Sequence, residues 1–249
     1  RYQRIAHSIR EALDFTRVIA DVQTSRLRRI DHFYTSHEAL HLPYEQALTR
    51  QQEDGRWYNL ATHFPWVGMR TVDLEGAHLE YIRGIANPIG IKVGKNISPE
   101  AVLDVLQLLN PHDEAGRIVL IHRFGAEHIA HYLPLFLEKL KHKKHAIVWS
   151  CDPMHGNTSK TDSGVKTRRF EDVLSELQQA FHIHHEHHSI LGGVHFEMTG
   201  ENVTECIGGA RGLTEHDLKD AYKTLCDPRL NYEQALEMTM LITSCLVAS

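Results

Sequence analysis

The 249 residues carry 27 lysines and arginines against 32 aspartates and glutamates, a formal net charge of −5 and a pI near 6.5. With 42% hydrophobic and 24% charged residues, the chain has the composition of a soluble globular protein, large enough for a single α/β domain over residues 1–249. That balance gives no basic field for nucleic acid, and no apolar run approaches the about eighteen residues of a membrane span, so a cytoplasmic protein is expected. The cysteines Cys151, Cys206, Cys226 and Cys245 show no CxxC pairing and read as reduced thiols, and no secretory signal is recognised. Arg1 rather than Met opens the chain, which raises the expectation that residues upstream were removed or never belonged to it.

In chain order, Ile5, Ile9, Leu13 and Ile19 recur on a roughly helical period over residues 1–23, predicting an amphipathic leading helix within residues 1–30. Short apolar or β-branched runs follow at His32–Thr35, Pro65–Gly68, Ile89–Val93, Ile118–Ile121, Ala146–Trp149 and Gly193–Met198. Helix-like stretches such as Pro99–Leu109 and Ala126–Leu140 separate them. Most of these starts are roughly 25 to 30 residues apart, the spacing of βα units in a parallel sheet.

The polar residues choose between a barrel and an open sheet. Arg70, Lys92, Arg123, His155 and Glu197 each sit near the carboxyl end of a different strand-like run. A (β/α)8 TIM-type barrel collects its site from many strand ends, whereas a doubly wound sheet uses one switch point, so the pattern predicts the barrel. His155, Glu197 and Asp227 form a nitrogen and oxygen donor set for a divalent ion; manganese, cobalt and zinc all suit it. Arg70, Lys92 and Arg123 supply fixed positive charge and forked donors for phosphate and carboxylate, which predicts a small anionic substrate. A metal beside a phosphate site suits aldol-like condensation, its reverse or phosphoryl elimination.

Other features weigh less. The run His182–His188 reads as exposed histidines with adventitious metal affinity. Asp152 is either a base, a turn residue or the acceptor that orients His155, and Glu201 and Glu205 read as capping or solvating a following helix.

The strings from Pro65 to Gly94 (PWVGMRTVDLEGAHLEYIRGIANPIGIKVG), IVWSCDPMHGNT at Ile147–Thr158, the stretch Gly192–Ala210 and CDPRLN at Cys226–Asn231 resemble the type II 3-deoxy-D-arabino-heptulosonate 7-phosphate (DAHP) synthases of microbes and plants. The likeness begins near Thr35, at TSHEAL, and runs to the end of the chain. It implies a barrel enzyme of the shikimate pathway that condenses phosphoenolpyruvate with erythrose 4-phosphate and releases phosphate, with a divalent metal, manganese first. By the same resemblance His155, Glu197 and Asp227 are metal ligands, Lys92, Arg123 and His155 the catalytic set, and Met69, Arg70, Lys92 and Arg123 the phosphoenolpyruvate contacts. Lys166 and Arg168 in GVKTRRF are candidates for the second substrate, against the alternative of a solvated basic loop.

Two departures stand out. Met69 occupies the place of a family glutamate, and the family's first two barrel strands, with a metal-binding cysteine, have no counterpart here. The fold expected is therefore an incomplete barrel, strands three to eight, as a homo-oligomer or with a partner supplying the rest. The alternatives are a catalytically inactive homologue with a binding or regulatory role, and a secondary-metabolite variant acting on another aldehyde.

Overall fold

The computed structural model describes residues 34–141 and 147–248. The chain divides into two compact units, Arg1–Thr35 and Ser36–Ser249, and the elements below belong to the second. The leading helix expected within residues 1–30 lies outside the described residues.

In chain order the unit runs β1 (Ser36–Glu38), α1 (Leu42–Ala47), the strands β2 (Thr49–Gln51) and β3 (Trp57–Asn59), β4 (Phe64–Val67), α2 (Ala77–Arg83), β5 (Ile89–Val93), α3 (Pro99–Leu109), β6 (Ile118–His122) and α4 (Ile129–Lys141). It continues with β7 (Ile147–Cys151), a 3₁₀ turn at His155–Asn157, β8 (Thr158–Lys160), β9 (Lys166–Arg168), α5 (Phe170–Glu186), β10 (Leu191–Val194), a second 3₁₀ turn at Glu215–Lys219 and α6 (Tyr232–Ala248). Six strands form one parallel sheet in the order β1–β4–β5–β6–β7–β10, while β2 with β3 and β8 with β9 make two small antiparallel ribbons. Strand order in the sheet follows chain order without reversal, so there is no switch point of the doubly wound kind.

Local chemistry explains the regular elements. In α3, Ser98 accepts a cap hydrogen bond from the Ala101 N–H at 3.1 Å, Pro99 fits the first turn, and Val102, Val105, Leu106 and Leu109 bury one face. β5 is buried along its whole length, and β6 along all but Val119, as expected of strands covered on both faces. Register places Lys92 beside Ile121, and Val93 beside His122, which in turn pairs with Cys151. Consecutive residues point to opposite faces, so Lys92 and Arg123 take one side of the sheet while Val93, His122 and Cys151 take the side packed by helices.

Three expectations shift. The expected strand His32–Thr35 lies partly outside the described residues; among those described the first strand is Ser36–Glu38, in register with Phe64–Trp66. The last ends at Val194 because the chain then leaves β7: the Leu230 N–H donates to the Glu197 carbonyl and the Thr199 N–H to Leu230, each at 2.9 Å. Nor does a helix follow Glu205 directly; residues 199–231 form a long irregular segment with one short 3₁₀ turn.

Polar groups enter the helix-packed layer. His122 and His184 are buried, His122 stacked on Phe124 and both rings packed at an angle to Trp149, and among the described residues neither ring nitrogen of His122 has a hydrogen-bond partner. Burial pushes His122 down from 6.5 to about 3 and His184 down to about 4. Both are neutral in the fold and charged in the unfolded chain below pH 6.5, so their contribution is fully present above that pH and is lost as pH falls towards 4 and 3. Urea denaturation between pH 7 and pH 5 is expected to show stability dropping by about 1 kcal/mol per pH unit for each histidine, and His122→Leu to remove one histidine's share of that slope.

Candidate functional site

The carboxyl ends of the parallel strands carry the site. Lys92 is the fourth residue of β5, Arg123 follows β6, Asp152 and His155 follow β7, and Glu197 lies three residues beyond β10. There the backbone is released from the ladder and side chains converge from several strands.

At the centre is Asp152, fully buried just past β7. One of its oxygens, Oδ2, forms the ion pair with Lys92 Nζ and lies 2.7 Å from His155 Nδ1, while Oδ1 accepts the N–H groups of Met154 at 3.0 Å and His155 at 3.1 Å. Burial would raise this carboxyl, but Lys92 and His155 outweigh it and hold Asp152 well below the usual carboxylate range. Burial lowers Lys92, with Asp152 opposing the shift, and the ammonium also lies 5.8 Å from the Trp66 ring. Of the three roles open to Asp152 in the sequence, the geometry matches two: Oδ2 is the acceptor that orients His155, and Oδ1 closes the turn by accepting the Met154 and His155 N–H groups.

With Nδ1 turned to Asp152, His155 Nε2 faces two further carboxylates, Glu197 Oε1 at 3.2 Å and Asp227 Oδ2 at 3.8 Å. Burial alone would lower His155, but hydrogen bonds to Asp152 and Glu197 push it up to about 9. Donor atoms each about 2.1 Å from one divalent ion stand about 3 to 4 Å apart, and these separations lie in that range. The trio, half-buried at the rim, can thus hold such an ion with little rearrangement.

Lys166 and Arg168 do not form a solvated loop. Both lie on β9, where Lys166 Nζ pairs with Asp227 and the fully buried Arg168 sets Nη1 2.6 Å from Glu197 Oε2. Arg168 also donates from Nε to Thr158 Oγ1 at 3.0 Å and from Nη1 to the Pro228 carbonyl. Against burial, the Lys166 hydrogen bond and charge keep Asp227 below the usual carboxylate value, and the His155 hydrogen bond, with the Arg168 charge, does the same for Glu197.

Arg123 donates from Nη2 to the His155 carbonyl at 2.8 Å, and its buried Nε has no hydrogen-bond partner. Arg70 is exposed in the turn after β4, and Met69 beside it is half-buried near Gly94. The structure brings Lys92, Asp152, Arg123, His155, Glu197, Asp227, Lys166 and Arg168 into one linked network; among the described residues Arg70 and Met69 make no side-chain hydrogen bond or ion pair to it.

Three further residues serve this region. Glu205 is a buried hub: it accepts the backbone N–H groups of Lys223, Thr224 and Arg229 between 2.9 and 3.0 Å and a two-pronged bond from the Arg229 guanidinium. It thereby shapes the loop that presents Asp227, and it caps no helix. Glu201 is exposed and paired with Lys223. The sequence offered one signal for Glu205, a lone acid in the apolar string VTECIGG. His195, its ring edge-on to Trp66 at 5.1 Å and 6.1 Å from His155, is pushed down to about 4 by burial and by Lys92. On α5, Glu176 lies on the buried face with Val173, Leu177 and Ala180, where a charge in an apolar stripe was the visible sign. Together with His122 and Cys151 it forms another buried cluster of donors. That cluster differs from the trio at the rim, because the Glu176 oxygens already accept from Phe124, Gly125 and Asn157.

The histidine run divides. His184 turns into the core towards Ser189, whereas His182 pairs with Glu186 and His187 with Glu138 at the surface. Cys151, Cys206 and Cys226 are free thiols; burial pushes Cys206 up to about 12 and Cys151 well above its ordinary value.

The pairs differ in exposure, and so should their substitutions. Asp152→Asn leaves a buried ammonium without its counter-charge and is expected to cost about 3 to 5 kcal/mol in urea denaturation of the metal-free protein. Lys166→Met, at a side chain 42% exposed, is expected to cost no more than about 1 kcal/mol in the same measurement.

Comparison with known proteins bears on this geometry directly. The family model described as the class-II DAHP synthetase family matches residues 1–243. A phospho-2-dehydro-3-deoxyheptonate aldolase of Neurospora crassa is 44% identical over 97% of this chain and 54% of its own length. The phospho-2-dehydro-3-deoxyheptonate aldolase AroG of Mycolicibacterium smegmatis is 41% identical over 99% of this chain and 54% of its own. The chain therefore spans about half the length of these relatives.

Proposed function

The chain belongs to the class-II DAHP synthetase family, and on that premise we propose that its strand-end site serves the condensation of phosphoenolpyruvate with erythrose 4-phosphate. The observation that carries the reading is the direct link, through Asp152, between the cationic Lys92 and the donor trio His155, Glu197 and Asp227. A site for an anionic enol phosphate and a site for a divalent ion thereby share one buried carboxylate.

In this reading Lys92, Arg123 and Arg70 hold the phosphate and carboxylate of phosphoenolpyruvate. The Arg123 Nε, buried without a partner, is a donor available to it. His155 Nε2, Glu197 and Asp227 would hold a divalent ion, with manganese preferred and cobalt or zinc compatible with the same donors. When bound there, such an ion supplies Lewis-acid polarisation of the aldehyde oxygen.

The chain's own groups do the positioning. Asp152 keeps Nδ1 of His155 occupied so that Nε2 stays directed at the two carboxylates. Lys92, held from the strand floor, fixes the enol phosphate with its methylene carbon towards the aldehyde. Carbon–carbon bond formation from that carbon to the aldehyde carbon moves the carbonyl π pair onto the aldehyde oxygen and leaves positive charge at the former enol carbon. Water adds there and one of its protons goes to the aldehyde oxygen; the carbon–oxygen bond to phosphate then breaks, the added oxygen becomes the ketone, and inorganic phosphate departs with the bonding pair and the second proton. Lys166 and Arg168, which pair with Asp227 and Glu197, are the cations this reading assigns to the phosphate end of the second substrate.

The unreversed strand order is the order of a (β/α)8 barrel wall, and the single unit from Ser36 onward serves as part of one. Among the described residues β1 and β10 are the edge strands, and in a closed barrel both would pair with further strands, on the same polypeptide or on a partner. A cytoplasmic setting suits these phosphorylated metabolites. One residue favours a second reading, a catalytically silent homologue with a binding role: Met69 can neither ionise nor orient water.

Purified chain mixed with Mn2+, phosphoenolpyruvate and erythrose 4-phosphate, with phosphate release and enol loss followed together, tests the proposal. Turnover that Arg123→Leu weakens about 100-fold in kcat/KM is the expected result, the equivalent of about 2.7 kcal/mol of charge-assisted binding. Binding of both Mn2+ and phosphoenolpyruvate without turnover supports the silent homologue; turnover only with another aldehyde points to an altered acceptor.

A further inference from the structure

Two loops carry the halves of the site, and they meet over one buried side chain. The first leaves β6 as Arg123–Phe124–Gly125; the second leaves β7 and turns through His155–Gly156–Asn157. Beneath both lies Glu176, on the inward face of α5 and without solvent exposure. Its Oε1 accepts the N–H groups of Phe124 at 2.9 Å and Gly125 at 3.0 Å, the residues directly after Arg123. Its Oε2 accepts Asn157 Nδ2 at 2.8 Å, two residues after His155.

Asn157 completes the junction. Its Oδ1 accepts the Ala126 N–H at 2.9 Å, and its Nδ2 also reaches the Pro153 carbonyl at 2.8 Å. The two backbones touch at their glycines: Gly125 has φ +88, and a Cβ there would stand 2.8 Å from the Gly156 carbonyl oxygen. No side chain can separate the loops at that point, so their spacing is set by backbone contact and by the carboxylate below.

We infer that Glu176 is a positioning residue for the site, fixing the Arg123 loop against the His155 turn so that the substrate cation and the metal ligand are set together. The inference rests on the proposed function, since it gives meaning to the distance between those two groups. Glu176 touches no reacting atom; it acts through Phe124, Gly125 and Asn157. Each of the hydrogen bonds given for its oxygens comes from an N–H donor, so an amide in place of the carboxylate turns its NH2 group towards another donor whichever way it flips. A buried carboxylate is costly unless so satisfied, which is why the contact specifies one arrangement of the loops.

The test uses titration calorimetry with Mn2+ alone, then with phosphoenolpyruvate in saturating Mn2+, on wild type, E176Q and V173A. Val173 is buried on the same helix, one turn earlier, and touches neither loop through a hydrogen bond, so V173A reports a loss of core packing alone. Expected is a roughly tenfold weakening of both Mn2+ and phosphoenolpyruvate binding in E176Q, with V173A binding both like wild type despite its lower stability. E176Q that melts earlier yet binds both probes like wild type overturns the inference. Should E176Q fail to fold, N157A removes the Oε2 contact together with the Asn157 bonds to Ala126 and Pro153, and unchanged affinities in that variant overturn it equally. A wild-type chain that binds neither probe removes the functional reading, and this inference with it; a wild type that binds both while E176Q matches it removes this inference alone.

Discussion

The site depends on one buried negative charge. Asp152 sits at the end of β7 with no solvent exposure, where an unpaired carboxylate would cost several kcal/mol. It is sustained by the Lys92 ammonium, the His155 ring and two backbone N–H groups, and it ties them together in return. Lys92 is held on the sheet interior instead of reaching for solvent, and His155 has one ring nitrogen committed so that the other can face Glu197 and Asp227. Remove that charge and a strand-borne cation and a loop-borne histidine lose their common reference.

The same device recurs at a larger radius. Glu205 gathers the loop around Asp227 by accepting backbone N–H groups, and Glu176 joins the loops bearing Arg123 and His155. Irregular segments cannot satisfy their own amides as helices and strands do, so a buried carboxylate that accepts several of them is an economical organiser. Arg168 plays the converse part, a fully buried cation lying against Glu197. Charged groups that a composition count would assign to the surface thus form the scaffold of the strand-end rim.

Much of this was legible residue by residue. The runs Ile89–Val93 and Pro99–Leu109 coincide with β5 and α3, because the β-branched Ile89, Ile91 and Val93 favour a strand and a capped 3.6-residue period favours a helix. His155, Glu197 and Asp227 were singled out as a donor set, and they meet in space. Lys166 and Arg168 were less clear, since a basic loop in solvent and a basic strand against two carboxylates read alike as GVKTRRF. Glu205 went astray because a glutamate after a Gly turn resembles a helix cap, and nothing local reveals that Arg229 and three amides lie opposite.

What the sequence determined by itself was the periodicity of the βα units, the placement of ionisable residues at strand ends and the family to which their strings belong, since these depend only on neighbours along the chain. What the tertiary structure decided was the partner of each charge: Asp152 with Lys92 across 60 residues, Lys166 with Asp227 across 61, Glu176 with Phe124 across 52. Sheet register and helix packing fix those pairings, and the strength of a buried electrostatic contact depends on separations that no local pattern encodes.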